Sequence, residues 1–461
     1  MILPRNSLVF WTAAVVVPLA VLGGALPGMG LPALAGLAIF AVAVLFDAIT
    51  AAPLLSTLRV ECPAVVRLQN GRRGMLPMTL HHAAGPTRSV RIGLAFPREI
   101  DASETDRMVQ LPAEVEESTL NWACTPSKRG QYFLHSVHFE VQSRLGLWAV
   151  RGQGKLSTEL RVYPDLLSER KHAASLFLRR NTLGNRALRA AGQGREFEKL
   201  REFVPGDGIQ DIHWKASAKR RRPVTKVYQI ERSQEVYVVV DASRLSARKV
   251  QIHAPVETPG PGHRSSEHTL RETTALERYV TAALMVALAA ERQGDQFGLL
   301  TFSNGILDFV RARSGPSHFD ACRDRLYTLQ PQDVTPDFEE CCTFIRLRLR
   351  KRALLIFLTA LDDPILAENF VKATDIISRQ QLILANMLQP KGAAPLFSDG
   401  APAENVDDIY QRLGGHLRWQ NLRELQKTLQ RRGVRLSFLD PEKLSAELIA
   451  QHADVRARQL L

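Results

Sequence analysis

Cysteine is scarce in this 461-residue chain. Cys62, Cys124, Cys322, Cys341 and Cys342 make an odd count of five, and no CxxC spacing occurs. That speaks against a disulfide framework and a cysteine-based zinc site, and it fits a reducing compartment. Catalytic signatures are missing as well. There is no GxxxxGK(S/T) phosphate loop, no GxSxG nucleophile elbow and no HExxH helix. The chain is therefore not a P-loop ATPase, and nothing sets a nucleophile beside a base in sequence. Acid is also in short supply, with 47 Asp/Glu against 60 Lys/Arg and a net charge of +13. The excess is local: residues 168–232 hold 16 Lys/Arg against 7 Asp/Glu, a net of +9. Such a stretch favours anionic partners or forms a solvated basic face beside a membrane.

What is present begins with two uncharged runs. Leu8–Leu26 has 19 residues, and Leu31–Phe46 has 16 and extends to Ala52 only by including Asp47. About 20 apolar residues cross a bilayer, so residues 1–57 read as a transmembrane helical hairpin with spans about 8–26 and 31–49. Arg5 precedes the first span, and Arg59 and Arg67 follow the second. The positive-inside rule puts both ends and the bulk of the chain on the cytoplasmic side of the inner membrane. A cleaved signal peptide is the competing reading of the first run; the second span would still hold the rest in place.

Residues 58–165 carry short alternating runs such as Ser89–Leu94 and Tyr132–Phe139, which predict antiparallel strands in a β-sandwich module. His135 and His138, three apart on a strand, are expected on opposite faces and not as a metal pair. Residues 166–234 read as a basic helical connector, helical from Leu166 to Arg195. Within it, REFVPGDGIQDIHWKASAKRRR spans residues 201–222. Pro205, Gly206 and Asp207 signal a turn, and Asp207 and Asp211 can pair with Arg201 or Lys215. Trp214 reads as an apolar anchor to a neighbouring domain, and Lys215–Arg222 as a short helix stopped by Pro223. The segment is either a docking element or an internal clamp. Arg220, Arg221 and Arg222 lack interleaved aromatics, which disfavours nucleic acid.

In residues 235–461 strands and helices alternate: Val236–Val240 ends at Asp241, then come strands at Phe297–Phe302, Ala353–Leu358, Gln381–Met387 and Val434–Leu439. This predicts a doubly wound α/β domain with a parallel sheet. Ligands on such sheets sit at the carboxyl ends of strands, which puts Asp241, Ser303 and Thr359 on the candidate edge. Asp241–Leu245 resembles the Asp-x-Ser-x-Ser metal loop of von Willebrand factor A domains. Asp241 and Ser243 match, Leu245 replaces the second serine, and Thr359 stands where a further aspartate is expected. No cofactor is expected; the alternative is magnesium on Asp241 and Ser243 as a degenerate site. The stretch from Leu245 to Thr274 is expected to be a long loop.

The central motif resembles the bacterial domain-of-unknown-function family fifty-eight. The match lies at Arg201, Glu202, Pro205, Gly206, Asp207, Ile212, Trp214, Lys215, Ser217 and Ala218, with Phe203 for tyrosine and His213 for aspartate. The resemblance implies a membrane-anchored protein with a von Willebrand A-like cytoplasmic domain, acting beside MoxR-type AAA+ ATPases in assembly or maturation of other proteins. It carries over no catalytic residues. The expected function is thus a non-enzymatic adaptor or scaffold, with such an ATPase, a client protein and membrane lipid as partners. Two alternatives stand beside it. One is a lipid or nucleic-acid binder acting through its basic surface; on either reading the motif or docking residues are Arg201, Glu202, Pro205, Gly206, Asp207, Asp211, Trp214, Lys215, Arg220, Arg221 and Arg222. The other is a membrane-bound hydrolase using Asp241, Ser243 and His213 or His318.

Overall fold

The computed structural model describes residues 1–26, 29–51, 55, 58–82, 88–112, 115–170, 191–204, 208–209, 212–229, 234–255, 268–396, 398 and 405–458. The chain divides into two compact units, Met1–Asp165 and Leu166–Leu461.

The first unit opens with strand β1 (Ile2–Pro4), helix α1 (Asn6–Ala25) and helix α2 (Gly30–Ala51). Both helices are apolar over most of their length, with Asp47 the single charged residue, and long enough to cross a bilayer. Their close approach depends on small residues: a Cβ on Gly23 would lie 3.0 Å from the Ala33 methyl, and one on Gly36 3.1 Å from Leu19. Strands β2 (Arg59–Glu61), β3 (Val65–Gln69), β4 (Gly74–His81), β5 (Arg88–Leu94), β6 (Ile100–Ala102), β7 (Asp106–Leu111), β8 (Glu117–Pro126), β9 (Gly130–Gln142) and β10 (Trp148–Tyr163) follow. They make two sheets. One runs β1-β10-β9-β5-β7 with β3 also on β10; the other runs β2-β4-β8-β6. Alternating residues such as Leu76, Met78, Leu80, Ile92, Leu134 and Leu160 meet in one core between them.

The second unit begins with residues 166–170 in helical form. They are fastened to the α/β core: Leu166 packs on it, and Glu169 pairs with Arg278. Strand β11 (Ala191–Glu202), helix α3 (Trp214–Arg220) and strand β12 (Val224–Gln229) form a separate two-stranded hairpin. Then come β13 (Glu235–Asp241), β14 (Lys249–Pro255), β15 (His268–Thr274), α4 (Ala275–Arg292), β16 (Gln296–Phe302), β17 (Ile306–Arg313), α5 (Pro316–Leu326) and α6 (Phe338–Arg348). The remainder is β18 (Leu354–Leu358), α7 (Pro364–Asp375), β19 (Leu382–Leu388), α8 (Val406–Arg431), β20 (Val434–Leu439) and α9 (Leu444–Ala457). The main sheet has the order β17-β16-β13-β18-β19-β20, parallel except for edge strand β17. Val236, Val238 and Val240 face a core shared with α4, α5 and α9, while Tyr237 and Val239 face one shared with α6, α7 and α8. Both faces of the central strand are therefore covered, which is why it reads as an unbroken apolar run.

Several sequence expectations change. Residues 191–195, expected to be helical, belong to β11. Helix α3 ends at Arg220, not at Arg222, because Arg221 takes a left-handed conformation with φ 53°. The expected long loop after Leu245 is partly ordered: β14 and β15 pair from Lys249–Thr274 to Pro255–His268, and residues 256–267 lie outside the described residues. His135 and His138 are both exposed, because the buried side of β9 switches between Leu134 and Val137, beside a pairing irregularity at Lys155/Thr158. Helix α8 begins 16 residues before Leu422, and edge strand β17 is an addition to the expected alternation.

Candidate functional site

The carboxyl ends of β13, β16 and β18 meet at Asp241, Phe302 and Thr359, as the alternation predicts. Asp241 is fully buried. One carboxylate oxygen accepts the Ser243 N–H at 2.8 Å and the other accepts the Thr359 hydroxyl at 2.5 Å. Burial pushes its carboxyl above the ordinary carboxylate range, and the hydrogen bonds from Thr359 and Ser243 offset part of that rise. Ser243 is buried too, and its hydroxyl accepts the Leu245 N–H at 3.4 Å to start a short 3₁₀ turn. Leu245 lies in the apolar core with Phe302 and Phe338. The segment after α5 closes over the edge: Gln332 N–H bonds to the Ala242 carbonyl at 2.7 Å, and Arg244 N–H to the Val334 carbonyl at 3.1 Å. Ser303 turns its hydroxyl to Gln332 Oε1 at 2.8 Å.

These residues do not fit a magnesium ion, which needs about six oxygen ligands in an open shell. Both oxygens of Asp241 are engaged by internal donors. The second serine position holds a buried leucine. Asp362 accepts a bond from Arg248 at 2.6 Å, and Asp363 caps α7 through the Ile365 and Leu366 N–H groups. No group of three or more His, Cys, Asp or Glu side chains that could hold a metal occurs among the described residues. The physical exchange is simple. Two carboxylates facing one another need a cation between them, whereas an aspartate facing Thr359 is satisfied by one direct hydrogen bond.

The described part of the docking motif lies on α3 and the ends of β11 and β12. His213 caps α3, its Nδ1 accepting the Ala216 N–H at 3.1 Å, so it does the work of a capping aspartate. The Ser217 hydroxyl donates to the His213 carbonyl at 3.0 Å and accepts the Val224 N–H at 2.9 Å, tying the helix to β12. Arg222 pairs with Glu202 at 2.5 Å in solvent. Trp214 is 69% exposed, so the remainder of its own unit does not cover its side of α3. Lys215, Lys219, Arg220, Arg221 and Arg222 are exposed as well, as is Arg201. Pro205, Gly206, Asp207 and Asp211 lie outside the described residues. His213 and His318 are not brought to Asp241: His213 caps α3, and His318 bonds the Phe297 carbonyl, which lies at the opposite end of β16 from Phe302.

A third cluster was not singled out from the sequence. Asp47, seen there only as an interruption of an apolar run, is buried. Its carboxylate accepts the Ser143 hydroxyl at 2.7 Å and the Leu145 N–H at 3.0 Å. Trp148 Nε1 donates to the Val44 carbonyl at 3.0 Å, and Arg5 N–H to the Leu147 carbonyl at 3.0 Å. The Ser7 hydroxyl donates to the Gly146 carbonyl, and β1 pairs with Trp148–Val150. Both ends of the helical hairpin are thus fixed to one turn of the β module. An acid within an apolar span is the signal that could have located it.

No curated protein matches the chain. Among solved structures, the conserved hypothetical protein BatB from Bacteroides thetaiotaomicron is 14% identical, with a TM-score of 0.27, over 49% of this chain and 99% of that one. An aerotolerance-related membrane protein from Bacteroides fragilis is 11% identical, with a TM-score of 0.25, over 48% and 98%. Residues 199–251 and 262–401, which include the described part of the docking motif and the strand-end edge, match the family described as protein of unknown function DUF58.

Proposed function

We propose that the chain is a membrane-anchored, non-enzymatic adaptor. Its α/β unit is von Willebrand A-like and cytoplasmic, and it acts with an ATPase of MoxR type on a client protein during assembly or maturation. The observation that carries this reading is the closed state of the strand-end edge. Asp241 is buried with both oxygens bonded to Ser243 and Thr359. The edge therefore offers polypeptide surface to a partner in place of a metal or a reactive acid. The sheet order, with the Asp241 strand at its centre and one antiparallel edge strand, supports the A-like reading. Arg5, Arg59 and Arg67 beside the spans support the cytoplasmic placement. The hydrolase alternative is disfavoured because His213 and His318 are committed elsewhere.

The test uses the full chain in detergent with a MoxR-type ATPase from the same organism. A complex on size exclusion, matched by a calorimetric binding isotherm, is the expected result. Asp241→Asn should bind the ATPase as the wild type does. Absence of a complex with the wild-type chain refutes the adaptor reading. Hydrolytic turnover lost in Asp241→Asn would favour the enzyme alternative.

A further inference from the structure

We infer that the α3 tip is a docking element for an anionic lipid surface. The inference is independent of the ATPase reading and would survive its failure. Four observations carry it. First, the tip is amphipathic in composition and fully presented: Trp214 is 69% and Ile209 73% exposed, within six residues of each other. Second, Lys215, Lys219, Arg220, Arg221 and Arg222 are all exposed around them. Among the described residues, only Arg222 of these five makes an ion pair, with Glu202. Third, the tip is internally braced. Ser217 and His213 hold α3 on β12 without using Trp214, so the indole is free of any duty in the local fold. Fourth, the same chain carries two helices long and apolar enough to span a bilayer, so a membrane surface is present at high effective concentration.

The geometry of α3 sorts the chemistry. At 3.6 residues per turn, Trp214 and Ala218 share one line along the helix, and Lys215 and Lys219 the adjacent one. All four are exposed. An indole that sits at headgroup level beside lysines that reach phosphates is the arrangement expected of interfacial recognition. An acidic protein face would satisfy the basic residues but would leave an exposed Trp and Ile without an apolar layer to enter. A lipid surface supplies both. The charge does not ask for a base-specific ligand, since no second exposed aromatic interleaves the arginines.

The experiment is hydrogen exchange on the full-length chain in nanodiscs of phosphatidylcholine alone or of phosphatidylcholine with phosphatidylglycerol. Slower exchange of the backbone amides of residues 212–222 is expected only with phosphatidylglycerol, and it should vanish at high salt, where screening shortens to about 3 Å near 1 M. Each Lys or Arg contributes about fivefold to partitioning onto an anionic surface. Arg220→Glu with Arg221→Glu should therefore lower the partition constant of the tip by at least roughly thirtyfold and abolish the protection. Brominated lipid should quench wild-type fluorescence more than Trp214→Phe fluorescence, the difference reporting Trp214. Unchanged exchange in β13 and β18 confirms that each variant is folded. Equal exchange of the tip in both lipids, or protection indifferent to phosphatidylglycerol, overturns the inference; protection restored only by an added acidic protein would assign the tip to a protein partner.

Discussion

Replacing Asp47 with alanine should loosen the whole hairpin from the β module. In the wild type the Asp47 carboxylate receives the Ser143 hydroxyl and the Leu145 N–H, at 2.7 and 3.0 Å, in a buried site. Hydrogen bonds to charged groups contribute about 1.5–3 kcal/mol each, and a buried donor left without an acceptor carries its full desolvation cost. Water entering the turn recovers part of that. The net loss is then about 2–4 kcal/mol. For a unit of this size a kcal/mol shifts the melting point by about 2–4 °C, so the Asp47→Ala chain should melt roughly 5–15 °C lower. Asp47→Asn should fall between. Its carbonyl can still take the Leu145 N–H, and its amide can donate to Ser143, whose hydroxyl already accepts the Trp148 N–H at 3.0 Å. The charge assistance is lost, about half of each bond, and the Ser143 hydroxyl proton loses the acceptor that Asp47 gave it. Apparent melting in detergent at one fixed scan rate ranks the three chains, and exchange of the Leu145 amide locates the effect. A double-mutant cycle with Ser143→Ala should show coupling of about 1 kcal/mol or more. If Asp47→Ala melts with the wild type, or Asp47→Asn melts below Asp47→Ala, the carboxylate is not what holds the turn.

The remaining predictions concern the second unit and the thiols. Asp241 has its pKa raised by burial, so its contribution to stability is full below the ordinary carboxylate value and is lost as pH rises through the raised one. Asp241→Asn should therefore gain in melting temperature relative to wild type as pH increases, and a difference that shrinks with pH would refute the assignment. Gly298→Ala should destabilise the α/β unit by about 1–3 kcal/mol or more in denaturant titration. The added methyl would land on the buried Tyr237 ring and within 3.0 Å of the Ala312 nitrogen. Burial pushes the Cys322 and Cys342 thiols up to about 12 and the Cys124 thiol to about 11. Maleimide at neutral pH should leave these three, and the buried Cys341, unmodified until the chain is denatured, whereas early modification would mean the cores open readily.

Much of the architecture was legible because it is written in local periodicity. The uncharged runs that became α1 and α2 need no partner to be recognised, since lipid asks only for length and apolarity. The run at Val236–Val240 is apolar at every position because both faces of β13 are covered, and the alternation in β4 and β8 records one buried face. The candidate edge followed from the rule for strand ends. Its chemistry did not. Leu245 and Thr359 signalled a departure from a metal loop, but that Thr359 itself satisfies Asp241 is a contact across 118 positions. The exposure of Trp214 was not legible, because an apolar residue in a basic segment suggests burial and nothing local says which side of a short helix its own unit covers.

The sequence by itself determined the spans, the alternation of element types, the basic segment and the residues at the carboxyl ends of the strands. These depend on spacing, charge and hydropathy within a few residues of one another. The tertiary structure alone decided how each polar side chain is satisfied: Asp47 by a turn 96 positions away, Asp241 by Thr359, and Trp214 by nothing within its own hairpin. Burial and hydrogen bonding are properties of neighbours in space, and those neighbours exist only once the chain has folded.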